Sequence, residues 1–175
     1  PVEWLSIDEA TGAITGTPDN GDVTSEAFTI VVTATDAYSL SVTQEISVSV
    51  ENTNDAPIAT SVDLGILRDT TSKTLTVDNF ADAVTDVDVG DTKTLNSVSI
   101  QQGAGSIVNN GDNTFTFTPV DGDENATVTL SYTVSDSAGV TSSSIADLLV
   151  VDAIPVGTGN EDDGPITLSA EGYGD

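Results

Sequence analysis

The sequence predicts an all-β chain built from tandem sandwiches, and three observations carry that reading. Val, Ile and Thr recur in runs that alternate apolar and polar with a period of two. Gly, Pro, Asn and Asp punctuate those runs at short intervals. The pattern also repeats: Thr118-Pro119 falls where Thr17-Pro18 falls (119 − 18 = 101), and Ser135-Asp136 where Thr35-Asp36 falls (136 − 36 = 100). A repeat of that length holds one sandwich and is too long for a solenoid turn.

The elements follow in order. Residues 4–8 form a short strand, Ala10-Thr11-Gly12 a turn, and 13–17 the returning strand, which Pro18 ends. A polar loop, 18–25, carries Asp19, Asn20 and Asp22. Phe28, Ile30, Val32 and Ala34 then alternate with polar or outward positions, and Ile46, Val48 and Val50 repeat the pattern after a turn at Asp36. After 52–57 the series begins again with strands over 58–66, 73–77, 94–101, 106–109, 114–118, 128–134 and 145–151. The long loop 78–91 includes a helical turn near 79–84. Seven short strands at this spacing predict an immunoglobulin-like sandwich. Trp4, Phe115, Phe117 and Tyr132 sit at core positions of that pattern.

The chain therefore divides into 1–51, the last four strands of one sandwich; a linker at 52–57; a complete sandwich at 58–152; and a second linker with the start of a further module at 153–175. Beginning at Pro1 without a signal peptide, the sequence reads as a piece of something longer.

Charge narrows the function. Three Lys and Arg stand against 29 Asp and Glu among 175 residues, a formal net charge of −26. Self-repulsion of this size opposes compaction, and bound cations relieve it. Nucleic acid and anionic membrane surfaces are poor partners for the same reason. Without His or Cys there is no Ser-His-Asp arrangement, thiolate site or imidazole site. Paired carboxylates also serve glycoside hydrolysis, but that chemistry needs one acid in an apolar cleft, and these acids lie in polar turns. The chain is read as a non-enzyme.

What the acids suit is a hard cation. Asp86-Val87-Asp88-Val89-Gly90-Asp91 places three carboxylates at i, i+2 and i+5, with a Gly that lets the chain turn. Calcium takes six to eight oxygens at ~2.3–2.6 Å in irregular geometry, whereas magnesium demands an octahedron and keeps its waters. Strand direction tests whether other acids join them. In a seven-strand sandwich the loops 78–91 and 136–140 lie at the end nearest the linker, as does the loop 18–25 of the preceding unit. Asp19 and Asp22, then Asn52, Asn54 and Asp55, then Asp86, Asp88, Asp91 and Asp136 are thus expected to meet around Ca²⁺ at one junction. Asp121, Asp123 and Asp152 are expected at a second junction, beside the acids at 161–163.

Particular stretches also carry a resemblance. Trp4-Leu5-Ser6-Ile7-Asp8 through Thr11-Gly12-Ala13-Ile14-Thr15-Gly16-Thr17-Pro18, with Val32-Thr33-Ala34-Thr35-Asp36, resembles the dystroglycan-type cadherin-like modules of large bacterial surface proteins. Val50-Glu51-Asn52-Thr53-Asn54-Asp55-Ala56-Pro57 is similar to the calcium linker of tandem cadherin repeats, one residue shorter than the animal form. The loop 86–91 is similar to the Asp-x-Asp-Gly-Asp loop of repeats-in-toxin adhesins, with Val89 inserted. This resemblance covers residues 1 to about 152. It implies Greek-key cadherin-like sandwiches joined by calcium-binding linkers, acting as an extracellular extender of a secreted bacterial adhesin whose partners are neighbouring repeats. Two rival expectations stand beside it: a module gripping a peptide or sugar directly, and a surface-layer or enzyme-appended linker. The incomplete first unit adds an expectation of strand exchange with another chain, with 166–169 as a donor.

Overall fold

The computed structural model describes residues 2–121 and 125–152. Among the described residues, thirteen strands and two 3-10 helices make up an all-β fold. Residues 2–51 hold two hairpins. In the first, β1 (Leu5–Ile7) pairs with β2 (Ile14–Gly16); in the second, β3 (Phe28–Thr35) pairs with β4 (Ser41–Val48). A 3-10 turn, Asn20–Asp22, lies between the hairpins.

The second unit opens on β5 (Ile58–Ala59) and β6 (Val62–Arg68), then β7 (Lys73–Leu75), a 3-10 helix (Val77–Ala83) and β8 (Val84–Thr85). It continues through β9 (Thr94–Gln102), β10 (Ser106–Asn109), β11 (Phe115–Thr118), β12 (Ala126–Ser135) and β13 (Thr141–Val151). One sheet has the order β6-β13-β12-β9, the other β10-β11-β7, with β5 paired to β8 beside them. All pairs are antiparallel except β13–β6.

Four expected elements differ: β8 lies inside the loop expected over 78–91, β13 begins at Thr141 and not at 145, and two further strands are divided or cut short. The single strand over 58–66 is two, because β5 pairs with β8 while β6 joins β13. The chain crosses at Thr60, whose amide donates to the Ala83 carbonyl at 2.8 Å and whose carbonyl accepts the Tyr132 hydroxyl at 2.6 Å. The strand expected over 73–77 stops at Leu75, since the Thr76 amide is taken by the Asn79 side chain at 2.8 Å as the 3-10 helix begins.

The core lies between the two sheets. Val128, Leu130, Tyr132 and Val134 of β12 are fully buried against Leu75, Phe80, Leu95, Phe117 and Leu148. Burying each such side chain stabilises by ~1.5–3 kcal/mol. Phe80 stacks on Tyr132 with ring centroids 4.3 Å apart, which ties the 3-10 helix to the central strand. Phe115, Phe117 and Tyr132 thus occupy the core as the alternation predicts. Trp4 does not reach that degree of burial: it is partly exposed and meets Phe28 edge-on at 6.2 Å. Among the described residues its hairpin meets only the two-stranded β3–β4 sheet, which is too narrow to cover the ring.

The internal repeat has a structural counterpart. In β3–β4 Thr35 faces Ser41 and Phe28 faces Val48; in β12–β13 Ser135 faces Thr141 and Val128 faces Leu148. The offset is 100 throughout (135 − 35, 148 − 48). The turns match as well. The Asp36 amide donates to the Leu40 carbonyl and the Asp136 amide to that of Val140. Asp36 Oδ1 caps the Leu40 amide as Asp136 Oδ1 caps that of Val140.

Candidate metal centre at the linker

Strand register brings three segments to one end of the second unit. Ser135 faces both Thr94, the first residue of β9, and Thr141, the first residue of β13. The segment 86–91 before β9 and the turn 136–140 therefore adjoin. Ile58 faces Thr85, so the linker before β5 runs beside the chain as it leaves β8.

Within 86–91 the backbone folds so that carboxylates turn in and valines out. Asp86 Oδ1 accepts the Asp88 amide at 3.0 Å, a local turn of the kind short acidic side chains favour. Val87 and Val89 are 52% and 86% exposed. Gly90 has φ +86°, the left-handed region that L side chains avoid, and reverses the chain. The Asp91 amide then closes onto the Asp88 carbonyl at 3.3 Å. The inserted Val89 is accommodated as an outward bulge, and Asp91 still returns to the cluster.

Each of the three acids uses one oxygen to hold the walls and leaves the other without a partner. Asp86 Oδ1 holds the Asp88 amide, Asp88 Oδ2 accepts the Asp55 amide at 2.7 Å, and Asp91 Oδ1 accepts the Ser137 hydroxyl. Asp86 Oδ2, Asp88 Oδ1 and Asp91 Oδ2 are buried with no hydrogen-bond partner. The three carboxylates offer ligand atoms that lie within 4.8 Å of one another, and Asp88 is only 6% exposed. Buried unpaired carboxylates at this spacing repel and are costly to desolvate. A calcium ion reverses both penalties, and its bond lengths accommodate oxygens up to about 5 Å apart. With oxygen donors alone, the set suits hard cations and not the softer transition metals.

The linker is fastened to this cluster. Asn54 Nδ2 donates to Asp136 Oδ2 at 2.8 Å, and Asp136 is 4% exposed. That amide, with the Val140 backbone N–H, holds the Asp136 carboxyl below its ordinary pKa against the opposing effect of burial. Asp55 accepts Asn20 Nδ2 at 3.0 Å, which joins the first unit to the linker.

Of the expected ligands, the structure thus brings together Asp86, Asp88, Asp91, Asp55, Asn54 and Asp136. Asp19 and Asp22 do not extend to the cluster by these contacts. They bond one another's backbone around the 3-10 turn, Asp22 Oδ2 accepting the Asp19 amide at 2.9 Å and Asp19 Oδ1 the Gly21 amide at 2.8 Å. Asn20, between them, makes the contact instead. Asn52 is exposed and joins none of these bonds. At the opposite end, where Ala126 faces Val150, Asp121 and Asp152 are both exposed. Asp123, the acids at 161–163 and the donor segment 166–169 lie outside the described residues. Ser137 is missed from sequence, and Asn20 is placed at this junction but not among its ligands. Each is adjacent to an acid already assigned to this junction, which was the available signal.

Comparison with known proteins agrees with this architecture. The profile of the putative Ig domain matches residues 3–51. Among solved structures, extracellular cadherin domains 3–6 of protocadherin gamma B2 align at 18% identity and TM-score 0.47, over 85% of this chain and 36% of that one. The human desmocollin-1 ectodomain aligns at 18% identity and TM-score 0.39, over 86% and 32%. The endo-fucoidan hydrolase MfFcnA4 of glycoside hydrolase family 107 aligns at 17% and 0.40, over 86% and 22%. The chain spans between 22% and 36% of the length of these three. No curated protein matches the sequence. The profile of the cadherin-like domain matches residues 53–151, more than half of the chain and the whole of the sandwich that carries the acidic cluster. This protein belongs to the cadherin-like domain family.

Proposed function

We propose that the chain is a calcium-stiffened spacer of an extracellular adhesin. Its ion sits on Asp86, Asp88 and Asp91, with Asn54, Asp55 and Asp136 securing the linker beside it. The single observation that supports this is the trio of buried carboxylate oxygens without partners at the start of β9. Extracellular modules of this type bind calcium with dissociation constants of ~10⁻⁴–10⁻³ M, so the site fills in millimolar-calcium media. Filling it removes part of the −26 charge at the place where two units meet.

On this reading residues 1–51 are the C-terminal half of one sandwich, 52–57 a calcium linker and 58–152 a complete module, with 153–175 leading into another. The β3–β4 hairpin shares its register with β12–β13, whose outer edges carry β9 and β6. Equivalent strands for β3 and β4 come from a neighbouring repeat or a second molecule. A secreted bacterial adhesin of the repeats-in-toxin type is the parent protein favoured by the Asp86–Asp91 loop and the acidic composition. Among the described residues no helix is long and apolar enough to cross a membrane.

Small-angle scattering of the whole chain in calcium and in EDTA tests the spacer. The expected result is a longer, stiffer particle in calcium. Superimposable profiles, with calcium binding verified by titration, would remove the mechanism.

A further inference from the structure

Asn20 is followed by Gly21, and Asn110 by Gly111. An Asn-Gly pair is the peptide sequence most open to succinimide formation, because Gly leaves the attacking amide unhindered. The two pairs share one local contact. The Gly21 amide donates to Asp19 Oδ1 at 2.8 Å, and the Gly111 amide to Asn109 Oδ1 at 2.8 Å. They differ in what receives the proton: a carboxylate in the first case, a neutral amide with no capacity to take it up in the second.

Their restraint differs too. Asn110 is fixed in a hairpin turn by Thr114 and Thr116, its side chain donating at 2.8 and 3.1 Å and accepting at 3.2 Å, and its backbone amide bonds the Thr114 carbonyl. Asn20 begins a three-residue 3-10 turn between exposed loops, and its side chain has one bond, to Asp55. That bond is the side-chain tie between the first unit and the linker.

We infer that Asn20-Gly21 is a self-modifying site that ages the junction. Asp19 accepts the Gly21 amide proton as the nitrogen attacks Asn20 Cγ; the new C–N bond closes the succinimide, and the side-chain nitrogen leaves as ammonia, regaining a proton. Water then opens the ring at either carbonyl, producing Asp or isoaspartate. The net change is water consumed and ammonia released, with no redox step. The donor to Asp55 becomes a second carboxylate, so the hydrogen bond is replaced by a like-charge contact. No ion is needed for this chemistry.

The test is peptide mapping by mass spectrometry of the full chain held in calcium-free, mildly alkaline buffer. Expected is conversion at Asn20 several-fold faster than at Asn110 in the same molecule. Asp19→Asn should slow Asn20 several-fold and leave Asn110 unchanged. Gly21→Ala should also slow it, and the added Cβ meets only the flexible end of Asp19 at 3.1 Å. Asn20→Asp, which mimics the linear product, should broaden the scattering-derived size distribution in EDTA relative to the unmodified chain. Conversion at Asn20 no faster than at Asn110, or a rate indifferent to Asp19→Asn, overturns the assignment. Unaltered scattering of Asn20→Asp overturns its effect on the junction.

Discussion

The backbone amide of Asp55, in the linker, donates to Asp88 Oδ2 at 2.7 Å and so leaves Asp88 Oδ1 buried and unpartnered. One hydrogen bond thus orients a carboxylate from the sandwich and anchors the chain that enters it. A cation held by the free oxygen acts on both.

Asp88→Ala removes the most buried of the three acids and the acceptor for the Asp55 amide together. The expected loss is at least tenfold in calcium affinity, about 1.4 kcal/mol. Calorimetric titration of the variant against the unaltered chain checks this; equal affinities would argue that the ion binds elsewhere.

Removing calcium should lower the melting temperature. At ten times its dissociation constant one ion adds roughly 1.4 kcal/mol by linkage. For a unit of this size each kcal/mol is worth about 4–8 °C. Differential scanning calorimetry in calcium and in EDTA is the measurement, and coincident transitions would contradict a site specific to the folded state.

Acid should weaken the linker contact. The Asn54 side chain is the largest influence lowering the Asp136 pKa. A carboxyl depressed in the folded state contributes stability above its unfolded value, about 3.9, and loses it as pH falls through the folded value. In calcium-free buffer Asn54→Ala should raise the Asp136 midpoint, seen by carboxyl NMR. The stability gap between the two proteins should close below about pH 4. A midpoint that does not move would detach Asn54 from Asp136 in solution.

Phe80→Ala tests how the core supports the site. The ring is fully buried and stacked on Tyr132, and its 3-10 helix runs into β8, directly ahead of Asp86. The expected cost is ~3–5 kcal/mol, with calcium affinity lowered as well. Denaturant unfolding and titration read the two effects; normal stability would mean the cavity collapses freely.

Much of this was legible in the residues. Alternation in β12 marks Val128, Leu130, Tyr132 and Val134 as core, since a pleated strand must send every second side chain inward. The repeat is visible because paired turns need the same residue types at Asp36 and Asp136. Strand direction alone predicts that Asn54, Asp55, Asp86 and Asp136 share an end. The division of the 58–66 strand was not legible, because an apolar run reads the same whichever sheet it joins.

Local geometry and composition are enough to give the all-β class, the length of the repeat and the acids available to a cation. Which oxygen of Asp88 and of Asp91 is free, and that Asn20 and not Asp19 or Asp22 reaches the linker, emerges once the chain has folded. For Asp88, Asp91 and Asn20 those choices depend on partners 33, 46 and 35 positions away in the chain, and no local pattern records them. A carboxylate has two equivalent oxygens, and it is the donor placed by the fold that makes them different.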